Sequence, residues 1–230
     1  MKLLMWLKKE WVQIIILAVP YCAAALLWDR LPAKLPIHWN YRGEVDGYAG
    51  KVFGTLFLPS VGVVMALLLP LLRRLDPKCR NYDEETKASI AGVFRTSRLA
   101  ISLFMTVISL ATLAVAMNVP VNISRVVTGG MGVLFIVLGN CMGRLRPNYF
   151  AGFRTPWSLE SRTVWLKTHR LGGRLMMLCG AGVLVESFVL PVPVLIFAAV
   201  IPVLILVGIV PAVYSYFSYR AERKAAGLPH

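Results

Sequence analysis

Residues 187–219 read SFVLPVPVLIFAAVIPVLILVGIVPAVYSYFSY, a run without a single Asp, Glu, Lys or Arg. A helix rises ~1.5 Å per residue, so a hydrocarbon layer of ~30 Å takes about 20 apolar residues to cross. The run is too long for one crossing, and Pro191-Val192-Pro193 supplies the break. Two prolines remove backbone donors and disfavour helix before each ring. The expected product is a tight hairpin between a fifth span, Leu175–Leu190, and a sixth, Val194–Phe217.

Working back from that hairpin, four more apolar runs have the length of a crossing: Trp11–Trp28, Phe53–Leu72, Leu99–Met117 and Val126–Met142. Composition agrees with this reading. Of the 230 residues 57% are hydrophobic and only 16% charged, against about 25% charged in a soluble chain. The expected fold class is therefore all-α: a polytopic membrane protein with six transmembrane helices. No internal repeat divides it. Three stretches organise it: 1–51, the first span with an outer loop; 52–142, spans two to four with a basic inner loop; and 143–230, an inner segment with spans five and six.

The net charge of +14 could point to nucleic acid, but a membrane protein carries such an excess as its positive-inside bias. With the N-terminus inside, 20 of the 25 basic residues fall on inner segments. Arg30, Lys34, Arg42, Lys51 and Arg125 remain outside. N-in, C-in is the expected orientation, membrane lipids the expected surroundings, and no direct nucleic-acid partner is expected. Lys8 and Lys9 directly before the first span suit a retained anchor better than a signal peptide cleaved near Ala23-Ala24-Ala25. Cys22, Cys79, Cys141 and Cys179 lack metal-ligand or redox spacing and read as reduced structural thiols.

Two loops carry information. The outer one runs from Leu31 to Lys51, LPAKLPIHWNYRGEVDGYAGK. Its prolines impose an extended path, and Arg42-Gly43 and Asp46-Gly47 are turn dipeptides. Three readings stand: a compact cap, a recognition surface built on His38, Trp39, Asn40, Gly43 and Asp46, or a metal site using His38 and Asp46, since histidine with carboxylate suits divalent cations. The inner segment, Gly143–Ser161, alternates aromatic and basic residues and leads into a helix that stacks Trp165 and His169 on one face. It reads either as an interfacial segment anchored by Trp157 and Trp165 or as a docking surface for a cytoplasmic partner.

Both loops resemble a known family. The first is similar to the LPxxIPxHWNxxGxxD motif of the SdpI family of bacterial membrane proteins, with Leu35 where Ile is commoner. The second resembles that family's RPNYxxGxRTPW…W…TH…GG stretch. The matched outer positions are Pro32, Pro36, His38, Trp39, Asn40, Gly43 and Asp46. The inner ones are Arg146, Pro147, Asn148, Tyr149, Gly152, Arg154, Thr155, Pro156, Trp157, Trp165, Thr168, His169, Gly172 and Gly173. The resemblance implies immunity to a secreted toxin peptide met outside, and capture of a repressor inside at Arg146, Asn148, Arg154, Thr155, Trp157, Trp165 and His169.

Glu186 is the one acidic residue inside an expected span, a position that by default points to function. It is either paired with a neighbouring helix or faces His38 and Asp46 beneath the outer loop. It also supports the rival reading, a small-molecule or lipid transporter with Glu186 as its intramembrane polar group. An enzyme is not expected: HExxH, GxSxG and paired intramembrane aspartates are lacking, and no cofactor is implied. Gly139 and Gly143 form a GxxxG that would let helices approach closely, and Pro59, Pro202 and Pro211 are expected to kink their helices.

Overall fold

The computed structural model describes residues 2–227. Helix α1 (Lys2–Leu26) ends in a short 3-10 turn and leads into strands β1 (Lys34–Trp39) and β2 (Val45–Gly50). Then follow α2 (Lys51–Leu75), the short α3 (Pro77–Arg80), α4 (Glu84–Ala116), α5 (Ile123–Met142), the short α6 (Pro156–Glu160) and α7 (Arg162–Val189). The last crossing is α8 (Val192–Pro202), a π-helical stretch over Val203–Ile209, and α9 (Val210–Ala225). Among the described residues five helical stretches are long and apolar enough to cross a membrane, and Glu10–Leu26 is a shorter sixth. The six expected spans are all present.

Pro191 divides the charge-free run as its chemistry requires: α7 stops at Val189, and Pro191 caps α8 in an extended conformation. The π-helical turn begins directly after Pro202, where the missing N–H interrupts the ladder.

Helix α4 departs from expectation. Its 33 residues reach 15 beyond the expected start, so most of the supposed basic inner loop is helix. Asp83 accounts for this, because its side chain accepts the Thr86 N–H at 2.8 Å while Glu84 and Glu85 complement the first turn. Charge made the stretch look like a loop, whereas the cap makes it a helix end.

The closest helix contact joins α5 and α7 through glycines. A Cβ on Gly132 would lie 2.7 Å from the Gly180 carbonyl oxygen, and one on Gly139 would lie 2.6 Å from that of Gly173. Small residues let backbones touch where lipid offers no hydrophobic drive. The seam repeats every seven residues, and Gly143, expected to share it, meets only the Arg170 side chain at 3.8 Å. Larger apolar side chains cluster at the two ends of the bundle. One cluster holds Ala24, Leu31, Leu35, Leu113 and Ala116 beneath the β-hairpin. The other holds Cys79, Ile90, Val93, Phe94, Cys141, Leu145 and Trp165 at the basic end.

Candidate functional site

The outer loop is a β-hairpin, its extended path paired into two strands. Antiparallel pairing runs from Lys34 opposite Gly50 to Trp39 opposite Val45, with irregularities around His38. The turn sits at Asn40–Glu44. The Asn40 Oδ1 accepts the N–H groups of Arg42 (2.9 Å) and Glu44 (3.1 Å), and Gly43 adopts φ +81°. Asp46-Gly47, expected as a second turn, lies inside β2 instead. Gly47 is needed there because a Cβ would lie 2.8 Å from the Cβ of His38 on the facing strand.

The hairpin is seated firmly. Leu35 is fully buried in the end cluster, and a Cβ on Gly54 of α2 would lie 2.7 Å from the Cβ of Leu35. At the tip, Gly43 comes against Val192 of α8 and Ser124 of α5. From this base His38 Nδ1 meets Asp46 Oδ1 at 2.5 Å, with the two side chains 69% and 43% exposed. Tyr41, Arg42 and Glu44 are exposed around them. Beside β1 opens a cavity of about 230 Å³ lined by Ile37, Phe53, Gly54, Phe57, Leu58 and Thr112. The Thr112 hydroxyl is buried without a hydrogen-bond partner among the described residues. Sequence reading passed over Thr112, which looks like one more small residue in an apolar span.

Glu186, His38 and Asp46 do not form a three-ligand metal cluster. Among the described residues no three His, Cys, Asp or Glu side chains come together in a way that could hold a metal ion. One carboxyl oxygen of Glu186 is buried and has no partner among those residues. Nearby, Arg125 binds the end of α7, donating to the carbonyls of Ser187 (2.8 Å), Phe188 (2.9 Å) and Leu190 (3.2 Å). It satisfies carbonyls that a helix end leaves open.

At the other end of the bundle the inner segment folds onto its own chain. Asn148 is fully buried: its Oδ1 accepts from the N–H groups of Phe150 and Ala151, and its Nδ2 donates to the carbonyls of Arg146 and Ala151. Arg154 donates to the Tyr149 carbonyl at 2.7 Å. Thr155 and Ser158 form a reciprocal capping box at the start of α6, and the Thr155 hydroxyl lies 2.8 Å from that of Ser215 on α9. Trp157 packs edge-on against Tyr216, ring centroids 5.0 Å apart.

Trp165 and His169 are both fully buried and stacked at 3.9 Å. Trp165 donates to the Leu145 carbonyl, and His169 Nε2 accepts the Phe153 N–H at 3.0 Å. Its Nδ1 lies 2.9 Å from the Trp165 carbonyl, so the ring is the neutral tautomer with its proton on Nδ1. Asn148, Trp165 and His169, expected on a partner-facing surface, are interior. Arg154, Tyr149 and Phe150 are among the residues exposed at this end.

One residue central to this end escaped sequence reading. Asp76 is 1% exposed, caps α3 through the N–H groups of Lys78 and Cys79, and accepts the Tyr149 N–H at 2.6 Å. It joins the loop after α2 to the inner segment. The neighbouring Cys79 thiol is pushed up to about 11, first by burial and then by the Asp76 carboxylate. All four cysteines are free thiols.

Comparisons place both segments. Residues 144–215 match the SdpI/YfhL protein family, and residues 15–63, which contain the hairpin, match a domain of unknown function, DUF1648. Over 182 residues, 79% of this chain and 83% of the relative, the sequence is 27% identical to the Immunity protein SdpI of Bacillus subtilis (strain 168). No solved structure matches the chain. With six apolar helices among the described residues and a matched region running from the buried inner segment into α9, the chain is a multi-pass bacterial membrane protein that is similar to the SdpI family.

Proposed function

We propose that the chain is an immunity-type membrane protein that protects a bacterial cell from a secreted antimicrobial peptide, met by the hairpin. The observation that carries this is the similarity to an immunity protein along 79% of the chain. Geometry supports it. A rigidly seated hairpin presents an exposed His38–Asp46 pair, and the adjoining apolar cavity has room for a peptide side chain. A pair this exposed contributes only about 0–1 kcal/mol to folding, so its groups are available to a ligand at small cost to the fold.

On this reading the hairpin faces outside and both chain ends face inside, as the distribution of basic residues favours. A cytoplasmic repressor would then dock on the exposed Tyr149, Phe150 and Arg154. Expression in a peptide-sensitive bacterium tests the assignment: survival should rise, and no gain at normal membrane abundance sinks it. The transporter reading draws on the unpartnered buried oxygen of Glu186. Glu186→Gln separates the two, since a transporter would lose a proton-gradient-dependent activity while an immunity protein would keep its protection.

A further inference from the structure

Arg73 and Arg74 stand in the last turn of α2, Arg80 ends α3, and Lys87 lies near the start of α4. All four line a single pocket of about 150 Å³, together with Cys79 and Ile90. Cys79 and Ile90 are buried members of the apolar cluster at this end, so one wall of the pocket belongs to the core. Lys87 is paired with Glu84 at 2.8 Å. Arg73, Arg74 and Arg80 have no hydrogen bond or ion pair among the described residues. None of the lining residues is acidic. The charge of Asp76 reaches Cys79, but Asp76 is buried and its oxygens already accept the N–H groups of Lys78, Cys79 and Tyr149. Three guanidiniums against that one occupied carboxylate leave the pocket positive.

We propose that this pocket binds a phosphate group, held by Arg73, Arg74 and Arg80 and supplied by a lipid headgroup or a soluble phosphate compound. The guanidinium fork matches phosphate oxygens in a bidentate way. Three forks exceed what one planar carboxylate can accept, whereas a phosphate offers oxygens in several directions. The carbonyl end of α2 favours cations in its last turn, and a positive-inside bias favours them at this end of the bundle. Neither accounts for their convergence on one pocket from the ends of α2 and α3, since like charges repel. A volume of about 150 Å³, roughly that of five waters in the liquid, admits a phosphate and little more, so the rest of the ligand lies outside. Arg73 directly follows the apolar run of α2 that ends at Leu72, which sets the pocket at the level of lipid headgroups.

The test uses the full chain in an uncharged detergent, given phosphatidylglycerol or inorganic phosphate. Native mass spectrometry reads retained lipid, and calorimetric titration reads phosphate. At least one probe should bind saturably, and Arg80→Gln should weaken it about fivefold, the effect of one basic residue near an anionic headgroup. Arg74→Gln should repeat that loss. Both variants change exposed side chains without partners among the described residues, so the fold does not depend on them. Arg170→Gln, a change at an exposed arginine outside the pocket, should leave binding unaltered. Lipid that excess inorganic phosphate fails to displace identifies a headgroup as the source, whereas displacement identifies a soluble phosphate compound. Either outcome upholds the site when the three variants divide as stated. Binding of neither probe overturns the proposal. So does unchanged binding in Arg80→Gln and Arg74→Gln, or a loss in Arg170→Gln equal to theirs.

Discussion

At the hairpin end His38 and Asp46 meet in the open, with side chains 69% and 43% exposed, while at the basic end Asn148 and His169 are completely enclosed. Both segments are long, irregular and rich in polar and aromatic residues, so as sequence they look alike. Their polar groups have opposite employment. Asn148 and His169 hold a non-helical stretch of backbone in place, satisfying N–H and carbonyl groups that would otherwise be buried unpaired. His38 and Asp46 satisfy little besides each other. A polar residue in a distinctive motif is thus as readily a construction element as a binding group, and the backbone partners tell which.

Substitutions should divide along the same line. The largest effect is expected for Gly152→Ala. Gly152 sits at φ +97°, and a Cβ there would lie 2.1 Å from His169 Nε2. Strain at positive φ together with displacement of a buried ring should cost about 3 kcal/mol or more, seen as loss of the folded peak in size-exclusion chromatography. Asp76→Ala should come next. It strands three backbone N–H groups, of Lys78, Cys79 and Tyr149, at roughly 1 kcal/mol or more apiece where they stay buried. Its thermal midpoint should fall well below that of Asp76→Asn, which keeps one acceptor oxygen.

His38→Ala should sharpen the contrast from the other side. Its cost in stability should stay under about 1 kcal/mol, while protection of a peptide-sensitive host is lost. A thermal midpoint as low as that of Asp76→Ala would break the distinction between the two ends. The smallest effect is one of reactivity. With its thiol at about 11, Cys79 is almost wholly protonated at neutral pH, and its thiolate increases about tenfold per pH unit up to that value. Maleimide labelling of Cys79 in the folded protein should therefore keep rising above pH 9, where the unfolded chain levels off.

The crossings were legible because long apolar runs and a Pro-Val-Pro break admit few other structures. The N-terminal part of α4 was not, since Glu84, Glu85, Lys87, Arg95 and Arg98 read as a solvated loop until Asp83 is seen to cap them. In the hairpin, Asp46-Gly47 carried the stronger turn signal, yet the tertiary demand for a residue without a Cβ opposite His38 put Gly47 in a strand. Asp76 illustrates a different limit. Its partner Tyr149 lies 73 positions away, and nothing local in a basic loop marks one carboxylate as the residue that ties two segments together. The glycine seam was half visible: the need for small residues is plain in sequence, but a seven-residue repeat on two helices emerges only from their crossing.

The 33 residues of α4 span about 50 Å at ~1.5 Å per residue, well beyond a ~30 Å hydrocarbon layer. Leu113 and Ala116 near one tip lie in the cluster beneath the hairpin, and Ile90, Val93 and Phe94 near the other in the cluster around Trp165. Mechanically it is a single rigid rod gripped at both ends. A tilt of about 5° around its midpoint would carry each tip sideways by roughly 2 Å, in opposite directions, so neither grip can shift alone.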